Sequence, residues 1–129
     1  MSAPGVAKIL VVDDTPANVK LLVDVLTVSG YAASAATNGE DALTQIAASP
    51  PDLVLLDIMM PGIDGVEALG LLRAEPRTAT LKVVAFTASV MAGDRSRVTQ
   101  AGFDGFVSKP INLKEFVATI ARLTEAGVQ

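Results

Sequence analysis

The chain contains no cysteine and no histidine in its 129 residues, and only 4% of the residues are aromatic. Without cysteine, neither a disulfide framework nor a thiolate metal site can form. Without histidine, any step that needs an imidazole as base, metal ligand or phosphate carrier depends on another molecule. The net charge is −4 and the sequence pI is about 4.6, so the chain has no excess of positive charge. This argues against a nucleic-acid-binding surface, which needs grouped lysine and arginine.

Long apolar runs are also missing. No stretch approaches the roughly 20 residues of a membrane-spanning helix, and no basic leader precedes an apolar segment at the amino terminus. We therefore expect a cytoplasmic protein without a membrane partner. Hydrophobic residues make up 50% of the chain, and its length suits one domain with a substantial core. We expect a flexible lead-in over residues 1–7, one domain over residues 8–123 and a tail over residues 124–129.

Short apolar segments alternate with amphipathic segments along the chain. The apolar and β-branched runs predict five strands, at residues 8–12, 31–36, 53–56, 82–86 and 106–108. Helical spacing of apolar residues, with capping residues such as Asn38 and Asp64, predicts a helix after each strand, including one over residues 91–101. This alternation predicts an α/β fold, in which a parallel sheet carries helices on both faces through right-handed crossovers.

Polar side chains directly follow four of the predicted strands. Asp13 and Asp14 come after the first strand, and Asp57 comes after the third. Thr87 follows the fourth strand, and Lys109 follows the fifth. In open parallel sheets the carboxyl ends of the strands lie along one edge, where ligands bind. We therefore expect these side chains to converge on one site.

Three carboxylates at one edge would repel one another by a few kcal/mol per pair. Such a site should take up a proton or a cation, and oxygen ligands suit Mg²⁺, which keeps positions for water and phosphoryl oxygens. One Mg²⁺ and Lys109 would balance the three carboxylates, so a phosphoryl group could enter. Asp57 precedes a turn at Pro61 and Gly62, and it is the carboxylate placed to attack phosphorus and become an acyl phosphate.

Each of these residues also has a simpler explanation when it is taken alone. Asp14 or Thr15 could cap a helix, Lys109 could be solvated, and Asp57 could accept a hydrogen bond from the turn. The functional interpretation depends on their joint placement at four strand ends.

Four motifs occur in order along the chain: ILVVDD at residues 9–14, LVLLDIMMPGIDG at 53–65, FTA at 86–88 and FVSKP at 106–110. With these motifs the chain resembles the receiver domain of bacterial two-component response regulators over essentially all of residues 8–123. The resemblance implies a flavodoxin-like strand order, 2-1-3-4-5, and Mg²⁺-dependent phosphoryl transfer to Asp57. It also implies that Asp14, Asp57 and the backbone carbonyl of Met59 bind Mg²⁺, and that Asp13 acts through water.

The resemblance further implies a switch. Lys109 would pair with the phosphoryl group, Thr87 would move to bond it, and the aromatic side chain at position 106 would turn inward. Here that residue is Phe106 rather than tyrosine, so it keeps the packing role and has no hydroxyl for a partner. The output face would comprise Arg95, Arg97, Phe106 and Lys114.

The missing histidine limits the part this chain can play in signalling. It cannot be the kinase or the phosphotransfer protein, so the phosphoryl group would come from a sensor histidine kinase, a histidine phosphotransfer protein or a small acyl phosphate. We expect a stand-alone receiver rather than an enzyme. It would signal by binding a downstream protein or would pass the phosphoryl group onward.

Three other functions fit the same residues less well. A haloacid-dehalogenase-type phosphatase needs a second carboxylate two residues after the nucleophile, where this chain has Met59. A flavodoxin-like cofactor binder needs a small polar loop after the first strand, where Asp13 and Asp14 would repel a phosphate. A structural pseudo-receiver is least favoured, since all five site positions are retained.

Overall fold

The computed structural model describes residues 7–57, 65–87, 102–108 and 113–128. The strands are β1 (Lys8–Val12), β2 (Ala32–Ala36), β3 (Leu53–Asp57), β4 (Lys82–Thr87) and β5 (Gly105–Ser108). The helices within these ranges are α1 (Pro16–Val28), α2 (Gly39–Ala48), α3 (Gly65–Ala74) and α4 (Leu113–Val128). The predicted helix over residues 91–101, the turn at Pro61 and Gly62, and the predicted cap Asp64 lie outside the described residues.

The strands form one parallel sheet in the order β2-β1-β3-β4-β5. This confirms the predicted α/β fold and its flavodoxin-like strand order. The chain moves outward from β1 to β2 and then returns past β1 to β3, so the strand order reverses between β1 and β3. Ligand sites in such sheets lie at this reversal, beyond the carboxyl ends of the strands.

Each face of the sheet is covered by a layer of helices. One layer packs α2 and α3 against the sheet through Leu10, Val12, Ile46, Val54, Leu56, Leu69 and Leu72. The other packs α1 and α4 against it through Ile9, Val11, Leu22, Leu26, Leu53, Leu55, Phe116 and Ile120. Because β1 and β3 are buried on both faces, their sequences are continuous apolar runs rather than alternating ones.

The first two helices begin where the sequence predicts, but they are capped differently. Asn38 caps α2 with its side chain, which accepts a hydrogen bond from the backbone N–H of Asp41 at 2.7 Å. Thr15 precedes α1, yet its side chain makes no capping hydrogen bond. Pro16 follows it in the first turn, where its missing N–H would have no helical partner anyway.

The edge strand β2 is built from alanine and serine, and most of its residues are exposed. Ala32 and Ala36 bond through their backbones toward β1, so Ala35 faces the free edge. Its carbonyl oxygen accepts a hydrogen bond from Nε2 of Gln45 in α2 at 2.9 Å. The side chain of Gln45 therefore satisfies an outward-facing carbonyl oxygen that could otherwise accept a hydrogen bond from another strand.

The last helix continues beyond its predicted apolar stripe. Its buried positions include Phe116 and Ile120, and the helical backbone runs on to Val128. The predicted boundary at residue 123 stays a prediction, although residues 124–128 are helical. In the described part of the chain, no helix has the length and apolarity needed to cross a membrane.

Two glycines with open surroundings predict opposite effects of alanine on stability. Gly70 lies within α3, and an added Cβ would meet nothing within 4 Å, so Gly70→Ala should raise the free energy of unfolding by about 1 kcal/mol. Gly30 is equally open but has a φ of 99°, so Gly30→Ala should lower it by about 1 kcal/mol. Urea unfolding measures both values. Destabilisation by Gly70→Ala, or stabilisation by Gly30→Ala, would contradict the backbone assignment.

Candidate functional site

Three carboxylates meet at the carboxyl edge of the sheet. Asp13 and Asp14 follow β1, and Asp57 is the last residue of β3. The two strands are paired so that Val12 lies opposite Leu56, which places the residues that follow them side by side. One oxygen from each carboxylate lies within 4.8 Å of the others. The structure therefore brings together the three acidic residues that the sequence predicted to converge.

The three carboxylates differ in their exposure. Asp13 is 0% exposed and Asp57 is 2% exposed, whereas Asp14 is exposed to solvent. A buried carboxylate is stable only when it is hydrogen-bonded or paired with a cation. The cluster consequently has a buried interior and one side that is open to water.

Asp13 is held by the first turn of α1. Its Oδ1 accepts a hydrogen bond from the backbone N–H of Thr15 at 2.9 Å, and its Oδ2 accepts one from Nδ2 of Asn18 at 3.4 Å. The amino end of a helix also favours negative charge, because its first N–H groups lack helical partners. These contacts explain how Asp13 can be buried, and they orient its carboxylate within the cluster.

Sequence reasoning did not single out Asn18. The residue lies five positions after Asp13, a spacing that belongs to none of the four motifs. The sequence gives one weak indication of a role for Asn18, namely that it is a polar residue directly before Val19, the first buried residue of α1. The contact with Asp13 becomes visible only when the turn between β1 and α1 is folded.

The donor set of the cluster fits a hard divalent cation. At a separation of about 5 Å and an effective dielectric constant of about 20, two carboxylates repel by about 3 kcal/mol. A bound cation removes this repulsion, and ions such as Mg²⁺ prefer oxygen ligands and keep part of their water. The exposed side at Asp14 leaves room for water and for a further oxygen ligand.

The structure places the backbone of Thr87 at the same edge. Thr87 ends β4, which lies next to β3 with Phe86 opposite Asp57. In β5, Phe106 lies opposite Ala85 and Ser108 lies opposite Thr87. The carboxyl ends of β4, at Thr87, and of β5, at Ser108, therefore lie at the same edge of the sheet as Asp57.

The structure does not test the roles of the remaining predicted residues. Lys114 is exposed in the first turn of α4. Four others lie outside the described residues: Met59, Arg95, Arg97 and Lys109. Their roles stay predictions.

The family model of the response regulator receiver domain matches residues 9–121. The chain belongs to this family. Receiver domains act in two-component signalling and receive phosphoryl groups from histidine kinases or phosphotransfer proteins. The carboxylates of the acidic cluster therefore belong to a signalling domain whose family function is phosphoacceptance.

Individual relatives agree with this assignment. The response regulator PleD of Caulobacter vibrioides is 42% identical over 118 residues, which are 92% of this receiver chain and 26% of PleD. The polar-differentiation response regulator DivK of Brucella anthropi is 36% identical over 112 residues, which are 87% of this chain and 91% of DivK. The chain thus spans about a quarter of PleD and most of DivK.

A solved structure shows the same fold at comparable identity. It is the N-terminal domain of a response regulator receiver protein from Methanoculleus marisnigri, with a TM-score of 0.75 and 34% sequence identity. The match covers 90% of this receiver chain and 94% of that domain. The family assignment therefore rests on sequence and fold together.

Repulsion within the cluster predicts that neutralising one carboxylate stabilises the metal-free receiver. In a chelator, Asp57→Asn should raise the free energy of unfolding by about 1–2 kcal/mol, because the variant loses the repulsion between position 57 and the other two carboxylates. The gain is below the full repulsion because water partly screens the charge of Asp14. Excess Mg²⁺ should stabilise the parent more than the variant, since a ligand of the folded state raises the free energy of unfolding by an amount that grows with the logarithm of its affinity. Urea unfolding with and without Mg²⁺ measures both effects.

Asp24→Asn is the control for net charge. Asp24 is exposed in α1 and pairs only weakly with Lys20, so this variant should respond to Mg²⁺ as the parent does. An equal Mg²⁺ response in all three proteins would contradict a cation site at the cluster.

Proposed function

We propose that this chain is a receiver in which Asp57 accepts a phosphoryl group in a Mg²⁺-dependent transfer and thereby switches a protein-binding face. The observation that carries the proposal is the meeting of Asp13, Asp14 and Asp57 at the strand reversal, with oxygens within 4.8 Å of one another. The receiver domain itself is proposed to span residues 8–123, which the family match over residues 9–121 supports.

Asp57 is the nucleophile of the proposed reaction. It ends a strand that is buried along its whole length, so its backbone is rigid and its carboxylate needs little reorganisation before attack. One carboxylate oxygen attacks phosphorus, forming a P–O bond as the P–N bond of a phosphohistidine breaks, and the imidazole leaves with the electron pair of the broken bond. The product is an acyl phosphate on Asp57.

The neighbouring carboxylates prepare the site for this reaction. Asp14 and Asp57, with the backbone carbonyl of Met59, are proposed to hold Mg²⁺, while Asp13 acts through water. Bound there, Mg²⁺ supplies positive charge that offsets the carboxylates and the incoming phosphoryl oxygens. The hydrogen bonds from the backbone N–H of Thr15 and from Nδ2 of Asn18 keep the carboxylate of Asp13 oriented within the cluster.

Two further strand ends complete the proposed site. Lys109 follows β5 and pairs with the phosphoryl oxygens, and the hydroxyl of Thr87 bonds to the same group after transfer. Movement of Thr87 allows Phe106 to turn inward, which changes a face that also includes Arg95, Arg97 and Lys114. The alignment of Thr87 with Ser108 across β4 and β5 supports this route from site to surface.

The proposed donor is a sensor histidine kinase or a histidine phosphotransfer protein, since the chain has no histidine of its own. The receiver promotes its own phosphorylation and dephosphorylation and has no separate substrate to turn over. Its output is contact with another protein, and we propose that it acts in the cytoplasm.

Incubation with acetyl phosphate and Mg²⁺, followed by intact-mass measurement, tests the proposal. The parent should gain one phosphoryl group, and a chelator or Asp57→Asn should abolish the gain. Lys109→Ala should slow labelling by about a hundredfold, the usual effect of removing one stabiliser of developing charge.

Asp52→Asn provides a matched control. Asp52 directly precedes β3, at the opposite end of the strand from Asp57, and its carboxylate accepts a hydrogen bond from the backbone N–H of Lys8 at 2.7 Å. This variant should be labelled as fast as the parent. An unlabelled parent, or equal labelling of Asp57→Asn, would refute the assignment.

A further inference from the structure

A polar network joins the amino ends of β4 and β5, at the opposite end of these strands from the acidic cluster. Asp104 directly precedes β5, and its backbone N–H donates to the carbonyl oxygen of Val83 in β4 at 2.8 Å. The backbone N–H of Val83 in turn donates to Oδ2 of Asp104 at 2.8 Å. Asp104 therefore bonds twice to one residue of the neighbouring strand.

Arg73 extends this network to α3. Its Nη2 lies 3.0 Å from Oδ2 of Asp104 and also donates to the carbonyl oxygen of Gly102 at 3.2 Å. Its Nη1 donates to the carbonyl oxygens of Ala79 and Leu81, which precede β4. One planar guanidinium thus links α3 to the chain entering β4 and to the chain entering β5, which a lysine ammonium could not do in the same geometry.

The register of β5 needs such support. The strand has four residues and lies at the edge of the sheet, and among the described strands it pairs only with β4. A slip by one residue would move it by about 3.3 Å and turn its side chains to the opposite faces. In the observed register Ser108 is level with Thr87, so β5 ends at the same edge of the sheet as β3 with Asp57, and Lys109 is the next residue in the sequence.

Packing at Gly105 supports the same register independently. A Cβ at this position would lie 3.2 Å from Cδ1 of Leu123 in α4 and 3.5 Å from Cγ2 of Val84. A slip would bring Asp104 or Phe106 to this place, and a larger side chain there would displace Leu123. The two hydrogen bonds between Asp104 and Val83, together with the close approach of α4 to Gly105, therefore favour one register of β5 against β4.

We infer that Arg73 and Asp104 are positioning residues for phosphoryl transfer: they set the register of β5 against β4 and thereby the place of Lys109 relative to Asp57. This inference rests on the proposed function. The pair touches no reacting atom, so its effect on the reaction passes through β5. A misplacement of about 1 Å at a reacting centre can cost about a hundredfold in rate, so small shifts of β5 matter.

Asp104→Asn is the sharpest test, because the amide oxygen can still accept the N–H of Val83 while the ion pair with Arg73 is lost. The rate constant for labelling by acetyl phosphate should fall about tenfold. The Mg²⁺ dissociation constant, measured by calorimetry, should change less than about twofold, since the three carboxylates lie at the ends of β1 and β3 and not of β5. Equal losses of rate and Mg²⁺ affinity would indicate general damage and overturn the inference.

Arg73→Lys and Arg77→Lys form a matched pair of variants. Arg77 also donates to a backbone carbonyl, that of Ala47 at the end of α2, at 3.2 Å, but it makes no described contact with β4 or β5. Arg73→Lys should slow labelling as Asp104→Asn does, and Arg77→Lys should leave it unchanged. Arg73→Lys also replaces Asp104→Asn as the test variant if the latter does not fold.

A double-mutant cycle separates positioning from a structural role. If the pair acts through Lys109, Asp104→Asn should slow labelling of the parent but cause little further loss in a Lys109→Ala background. Multiplicative losses in the two backgrounds, or unchanged labelling of Asp104→Asn, would overturn the inference. A parent that is not labelled at all would contradict the proposed function instead.

Discussion

The mutual repulsion of three carboxylates is the constraint on which the structure of this site depends. Their oxygens lie within 4.8 Å of one another, and two of the three side chains are buried. Such an arrangement costs about 3 kcal/mol per pair at the dielectric constant typical of protein sites. It persists because Asp13 and Asp57 extend from β1 and β3, strands that are apolar and covered on both faces. The core holds the charges together, and their oxygens are the kind of ligand that a hard divalent cation prefers.

The carboxyl and amino edges of the sheet carry different groups of polar residues. The carboxyl edge carries the acidic cluster and the end of β4 at Thr87, where the proposed chemistry takes place. The amino edge carries the contacts among Arg73, Asp104 and Val83, which are polar but have no reacting partner. Because a strand is stiff along its length, the register at its amino end also sets the position of the residues at its carboxyl end. The short edge strand β5 is where this dependence is greatest.

Much of the fold could be predicted from sequence because its signals are local. The apolar runs of β1 and β3 and the helix start at Asn38 depend on neighbouring residues, whereas the strand order came from the family resemblance. Contacts between distant segments have no such signal: Arg73 and Asp104 are 31 positions apart, and neither belongs to a strand-end motif. The sequence allows Thr15 to cap α1 with its hydroxyl, but the side chain makes no capping hydrogen bond, and the backbone N–H of Thr15 donates to the carboxylate of Asp13. Residue types therefore predict the turn before α1, but several of its side chains can accept a hydrogen bond there, and the sequence does not say which of them does.

Asp57, rather than another carboxylate of the cluster, is proposed to become the acyl phosphate. Borohydride reduces an acyl phosphate to an alcohol and leaves free carboxylates intact, so treatment of the labelled chain marks the phosphorylated residue permanently. Peptide mapping by mass spectrometry should then find a homoserine at position 57, with Asp13 and Asp14 unchanged. Conversion of Asp13, Asp14 or a residue outside the cluster, with position 57 intact, would contradict the account.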